Sequence, residues 1–122
     1  YLGYMYADRG IHLEEAVELL NRAVTLEPDN GAFFDSLGWA HYRLGHLEQA
    51  EQYLQKAVEQ LDGHEADDQI EEQAVIFDHA GDVARALGKD REAAEHWRKA
   101  LNLFPDNEEV RAKLSAPAPG MP

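Results

Sequence analysis

Residues 30–58 read NGAFFDSLGWAHYRLGHLEQAEQYLQKAV, and this stretch decides the fold of the chain. Small and apolar residues in it recur at spacings of three and four, which is the spacing of one face of an α-helix. They form two runs, the first of Phe34, Leu37, Gly38, His41 and Gly45 and the second of Leu47, Ala50, Leu54, Ala57 and Val58. Because Gly45 separates the runs and permits a tight turn, the stretch predicts a helical hairpin with an internal interface.

Length and composition indicate one folded domain without disulfides. The chain has 122 residues, of which 44% are apolar, and it contains no cysteine. It has 24 acidic and 11 basic residues, and the resulting net charge of −13 repels nucleic acids and anionic membranes. No apolar run approaches the ~20 residues that span a bilayer. We therefore expect neither nucleic-acid binding nor membrane insertion.

The hairpin pattern repeats along the chain with a period near 34 residues. A Leu-Gly or Ala-Gly pair occurs at 2–3, 37–38 and 80–81, and a second glycine follows seven residues later, at Gly10, Gly45 and Gly88. Alanines then mark the packing face of the next helix, at 16 and 23, 50 and 57, and 93 and 100. Two units close in EPDN (27–30) and FPDN (104–107), where the proline ends a helix and the following Asp or Asn can cap the next one.

Together these positions resemble the tetratricopeptide repeat, a 34-residue helical hairpin. The resemblance covers about residues 1–107, with extra residues inserted around 62–73. It implies an all-α fold, a right-handed α-solenoid of about three tetratricopeptide units plus a C-terminal capping helix. The amino-acid sequence of the repeats, for example DSLGWAHYRLG, is typical of bacterial proteins.

The same pattern predicts the limits of the repeat domain and of its helices. We expect the domain to span 1–115, with units at about 1–30, 31–64 and 74–107, a capping helix at 107–114 and a disordered, proline-rich tail at 116–122. The predicted helices are 2–9, 13–25, 32–44, 47–60, 68–87, 91–103 and 107–114. Since the first helix begins almost at its Leu-Gly pair, we expect a piece of a longer protein. Upstream repeats, or self-association into a homo-oligomer, would cover the truncated N-terminal end.

Motifs for catalysis and for metal or cofactor binding are absent from the sequence. It has no phosphate-binding loop ending in GKS or GKT, no HExxH and no cysteine nucleophile. None of the six histidines forms an i,i+4 pair that would hold a metal from one helix face, and His41 is expected to be a hydrogen-bonded core residue. The acidic stretch 62–68 lacks the spacing of a calcium loop. We predict a non-catalytic protein with no metal and no cofactor.

In tetratricopeptide proteins one face of the first helix of each unit lines a concave groove that receives peptides or partner helices. The resemblance places nine residues of this chain on that face: Tyr4, Asp8, Asp35, Trp39, Tyr42, Arg43, Asp78, Asp82 and Arg85. We call them the groove-face residues. Packing of Trp39 against the helix of a neighbouring repeat is the alternative, and both interpretations stay open. Trp97, by contrast, aligns with Leu20 and Leu54 and is predicted to lie in the core.

The chemistry of the groove-face residues narrows the expected partner. Repeat domains that bind chaperone C-termini use Lys, Asn and Arg on this face, and this sequence departs from that pattern. An acidic groove with Trp and Tyr favours a partner with apolar anchors and basic flanks. We therefore expect a protein–protein interaction scaffold that binds a peptide or helix of a partner. The alternative is a structural module that stacks with other repeats or forms homo-oligomers. Cytoplasm and periplasm both suit such a protein.

Overall fold

The computed structural model describes residues 12–61 and 70–115, and these ranges contain six α-helices and no strand. The helices are α1 (Leu13–Leu26), α2 (Gly31–Arg43), α3 (Leu47–Glu59), α4 (Ile70–Ala86), α5 (Asp90–Leu103) and α6 (Glu108–Ser115). Their ends lie within about two residues of the predicted ends, a normal uncertainty for helix boundaries, and the all-α class is confirmed. The predicted helix at 2–9 and the tail at 116–122 lie outside the described residues.

The chain divides into two compact units, Tyr1–Gly63 and His64–Pro122. In the first unit α3 packs along α2, and α1 also packs against α2. In the second unit α5 packs along α4, and α6 packs against α5. Packing between successive helices is the pattern of helical repeats. None of the six helices is both long and apolar enough to cross a bilayer.

An asparagine caps the helix that follows each of the two proline turns. The side-chain oxygen of Asn30 accepts a hydrogen bond from the backbone N–H of Phe33 at 3.2 Å. The side-chain oxygen of Asn107 accepts one from the N–H of Val110 at 3.1 Å. Each bond satisfies a donor that the first turn of a helix leaves without a partner. Of the two residue types expected to cap these helices, the structure uses asparagine.

The same backbone turn closes both hairpins. Gly45 and Gly88 have φ angles of +83° and +79°, in the left-handed region that favours glycine. The N–H after each glycine donates to the carbonyl oxygen five residues earlier, at 2.8 Å in both turns: His46 to His41, and Lys89 to Ala84. This Schellman arrangement brings the residue after the glycine back beside the last turn of the preceding helix.

A glycine on the first helix of each hairpin lets the second helix approach closely. A Cβ atom added to Gly38 would lie 2.8 Å from Leu54 Cγ and 3.1 Å from the carbonyl oxygen of Ala50. One added to Gly81 would lie 2.3 Å from Trp97 Nε1. Leu54 and Trp97 are 1% and 3% exposed, so the prediction that Trp97 belongs to the core is confirmed.

Each unit buries its own apolar core. The first core contains Ala16, Leu20, Leu37 and Ala40, and the second contains Ala74, Ala84, Ala93, Trp97, Ala100 and Val110. The repeat alanines at 16, 50, 57, 93 and 100 are at most 1% exposed, as their spacing predicted, whereas Ala23 is half-buried. Val110 is fully buried and joins α6 to the second core.

Candidate functional site

The groove-face residues fall into three groups. Tyr4 and Asp8 lie outside the described residues. The α2 helix of the first unit carries Asp35, Trp39, Tyr42 and Arg43, and α4 of the second unit carries Asp78, Asp82 and Arg85. Packing within the first unit positions the α2 group, and packing within the second unit positions the α4 group.

Trp39 and Tyr42 form a stacked aromatic pair on α2. Their ring centroids lie 4.7 Å apart, and the ring planes differ by 22°. The i,i+3 spacing makes them neighbours on one helix face. Both residues are half-buried, and Trp39 packs against the first core. Trp39 therefore packs against the core and keeps part of its surface accessible beside Tyr42.

Asp35 is buried, contrary to its expected exposure in a groove. It is 4% exposed, and residues 34–38 of α2 are all buried. Helical spacing predicts one buried stripe with a free face opposite, but this part of α2 is covered on several sides. The carboxylate of Asp35 is therefore not displayed to a partner. Arg43, at the last position of the same helix, is exposed.

Asp78 and Asp82 are bridged by a cation that the sequence analysis missed. Lys113 of α6 donates a hydrogen bond from Nζ to Asp78 Oδ1 at 2.8 Å and to Asp82 Oδ2 at 3.2 Å. The second oxygen of Asp82, Oδ1, lies 3.0 Å from the same nitrogen but outside hydrogen-bonding geometry. The side chains of all three residues are less than a quarter exposed. The acidic pair on α4 is thus already neutralised in part by the chain itself.

We call Asp78, Asp82 and Lys113 the triad. The sequence spacing of its members contains a signal that predicts their contact. Lys113 follows Asp78 by 35 residues and Asp82 by 31, close to one repeat period. In stacked repeats, residues one period apart occupy neighbouring copies of the same helix. Comparing charges across one period, in addition to those on one helix face, identifies the pairing.

The pKa values of Asp82 and Lys113 are shifted by burial and by their neighbouring charges. Burial raises the pKa of Asp82, and the nearby Asp78 adds to the rise, while Lys113 acts in the other direction without reversing it. Burial alone would lower the pKa of Lys113, but the hydrogen bond to Asp78 and the charge of Asp82 raise it. Lys113 is therefore held in its charged form, whereas burial disfavours the ionised form of Asp82.

Arg85, the cation of the α4 group, is held against the core. Its guanidinium carbon lies 5.0 Å from the centre of the Trp97 ring, within the range of a cation–π contact. The indole N–H of Trp97 in turn donates to the backbone oxygen of Asp78 at 3.3 Å. The same tryptophan thus fills the hairpin interface and contacts two members of the α4 group, Asp78 and Arg85.

His41 was expected to be a core residue, but it is half-buried. Its Nδ1 lies 3.1 Å from Nδ1 of His46, and its ring stacks on Tyr53 with centroids 5.4 Å apart. Burial, followed by the neighbouring His46, lowers the pKa of His41. Its hydrogen-bond partner is therefore a second histidine, across the Gly45 turn.

Helices paired through a close glycine contact and closed by Schellman turns define a helical-hairpin repeat protein. Residues 12–67 match the tetratricopeptide repeat family. The chain therefore contains tetratricopeptide repeats, and the predicted family is confirmed.

A relative in Pseudomonas aeruginosa supports the predicted bacterial origin. The chain is 47% identical over 64 residues to a TPR repeat-containing protein of that organism. The match covers 52% of this chain and 11% of the relative. The chain therefore corresponds to a small part of that relative.

Two solved structures share the fold. The crystal structure of MamA matches with a TM-score of 0.76 and 22% identity, covering 93% of this chain and 60% of MamA. The second TPR domain of human RPAP3, solved by NMR in complex with an HSP70 peptide, matches with a TM-score of 0.74 and 23% identity. That match covers 93% of this chain and 86% of the RPAP3 domain.

The triad predicts that removing its cation destabilises the second unit. Lys113→Met keeps an apolar stem but leaves two largely buried carboxylates one helical turn apart without their counter-ion. We expect the free energy of unfolding to fall by about 1–3 kcal/mol. Urea denaturation would measure the change, with Arg98→Met, an exposed cation on α5, as the matched control. Equal losses in the two variants would contradict a stabilising role for the triad.

The lowered pKa of His41 predicts a difference in pH dependence. Because the fold favours neutral His41, its contribution to stability is complete above the unfolded pKa of about 6.5 and is lost as pH falls through the lower folded pKa. Between pH 7.5 and 5.5, wild type should therefore lose stability relative to His41→Gln in urea denaturation. His96, whose pKa burial also lowers, is present in both proteins and cancels from the comparison. Parallel pH curves would refute this assignment.

Proposed function

We propose that this chain is a non-catalytic protein–protein interaction module that binds a peptide or helical segment of a partner protein. The observation that carries the proposal is the stacked pair of Trp39 and Tyr42, since both rings are half-buried on the first helix of a repeat hairpin. Trp and Tyr are enriched among the residues that dominate binding energy at protein interfaces. Their mutual stacking and the core contact of Trp39 hold the pair in place, which reduces the entropy lost on binding.

The tetratricopeptide fold supports the same proposal. Stacked helical repeats create extended concave surfaces suited to chain-like ligands. The RPAP3 domain was solved with an HSP70 peptide, so a fold of this kind accommodates a peptide. This general capacity of the fold supports the proposal, whereas the HSP70 peptide itself is a ligand of RPAP3.

The proposed partner relies less on basic residues than the acidic groove expected from the sequence would require. Asp35 is buried, and Asp78 and Asp82 already hold Lys113. We therefore propose that apolar side chains, anchored at Trp39 and Tyr42, provide most of the binding energy. Basic residues of the partner would have to compete with Lys113 for its two carboxylates. The net charge of −13 would still favour encounter with a basic segment at low salt.

A displayed library of random peptides provides a direct test, with the 122-residue chain as the target. We expect peptides with aromatic or large aliphatic residues to be enriched, because these side chains can pack on the accessible parts of Trp39 and Tyr42. Synthetic copies of selected peptides should bind Trp39→Ala/Tyr42→Ala at least about tenfold more weakly than wild type, a loss of about 1.4 kcal/mol or more in binding free energy. Fluorescence anisotropy would give the affinities.

Leu26→Ala is the matched control for this experiment, because Leu26 is an apolar α1 residue that is 81% exposed. Its peptide affinity should equal that of wild type. Equal binding by the double variant would overturn the assignment of the site to Trp39 and Tyr42. Enrichment of no peptide, together with concentration-dependent oligomers in analytical ultracentrifugation, would favour the structural, self-assembling alternative.

A further inference from the structure

Two histidines meet across the turn that joins α2 and α3. His41 lies in the last turn of α2, and His46 follows Gly45. The Schellman hydrogen bond between their backbones, 2.8 Å from N to O, brings the two residues together. Their Nδ1 atoms lie 3.1 Å apart. A search for histidines at i,i+4 on one helix face overlooks this pair, because its spacing is i,i+5 and depends on the left-handed glycine.

The turn itself does not require histidines. The second hairpin closes with the same backbone hydrogen bond and the same sign of φ at its glycine, and there the equivalent residues are Ala84 and Lys89. An alanine and a lysine thus suffice for this geometry. The two imidazoles of the first turn are therefore available for a role beyond the formation of the hairpin.

The separation of the two nitrogens suits a shared metal ion. Zinc binds histidine nitrogen at about 2.0–2.1 Å, so two such ligands lie about 2.9 Å apart at a right angle and about 3.3 Å apart at the tetrahedral angle. The observed 3.1 Å falls between these values. It also fits an N–H···N hydrogen bond. The two states are alternatives, since a metal bound to both Nδ1 atoms would displace the shared hydrogen, and both rings would then carry their proton on Nε2.

We propose that Nδ1 of His41 and Nδ1 of His46 bind a divalent transition-metal ion of the zinc, nickel and copper class, with water completing the coordination. Neutral imidazole is a good ligand for these ions, whereas magnesium and calcium prefer oxygen. No group of three or more His, Cys, Asp or Glu in residues 12–61 and 70–115 is arranged around a metal, so the described protein ligands are these two. A two-ligand site leaves positions open for exchange with solvent.

Two features of the turn favour binding. Tyr53 stacks on the ring of His41, with an interplanar angle of 15°, and so limits its rotation. His46 is exposed, and a Cβ atom placed on Gly45 would meet nothing within 4 Å, so the turn opens to solvent.

Zinc alone is the probe for this site, added to the complete 122-residue chain at neutral pH. Nitrogen NMR of the imidazole rings in wild type should show Zn²⁺ perturbing Nδ1 of His41 and of His46 together, whereas Ca²⁺ leaves both unchanged. Isothermal titration calorimetry should give an affinity that falls by at least about tenfold in His46→Gln, the loss that removal of even an outer-shell partner can cause.

A double variant, His41→Ala/His46→Lys, gives the first turn the residues of the second and should fold while losing the site. His12→Gln removes another exposed histidine of the same unit and should bind zinc as wild type does. Thermal unfolding without metal establishes that each variant is folded. Unchanged zinc affinity in His46→Gln, or zinc shifts in the wild-type spectrum that exclude His41 and His46, would overturn the proposal and leave the pair as a hydrogen bond.

Discussion

The close contact between the two helices of each hairpin is the constraint on which the rest of the structure depends. At Gly38 and Gly81 the space that a Cβ atom would need is filled by Leu54 and Trp97 respectively. Such a contact buries one face of the first helix against the second. Other faces of the first helix remain to pack on further helices or to meet a partner, so this interface decides which side chains can serve function.

In the second unit, the residue that fills the interface also organises the surface. Trp97 packs on Gly81, donates to the backbone oxygen of Asp78 and lies beneath the guanidinium of Arg85. The carboxylate of Asp78 then shares Lys113 with Asp82. Core packing and surface electrostatics are therefore linked in this unit, and a change in the core should alter the charges presented on α4.

The first unit presents a different surface, in which aromatic rings have the place that an ion-paired triad has in the second. Trp39 and Tyr42 stack on each other on α2. Tyr53 of α3 stacks on His41, which lies in the last turn of α2. One repeat pattern thus supports an aromatic contact surface and a pair of histidines in one unit, and a set of paired charges in the other. The repeat determines where side chains are placed, and their identities determine the chemistry.

How much could be predicted from the sequence depends on the range of the interactions involved. Helix ends, turn glycines and the close contact at Gly38 follow from spacings within one hairpin, and these were predicted. The burial of Asp35 requires several neighbours around one stretch of α2, and the contact of Lys113 with Asp78 joins residues 35 positions apart. Considering the faces of one helix at a time reveals neither contact.

A double-mutant cycle between Gly81→Ala and Trp97→Val tests the central constraint most directly, with the free energy of unfolding as the quantity measured. Gly81→Ala should cost about 1–3 kcal/mol by overpacking against Trp97, and much less in a protein that already carries Trp97→Val, so that the two changes are coupled. Additive losses, or a Gly81→Ala protein as stable as wild type, would contradict the account.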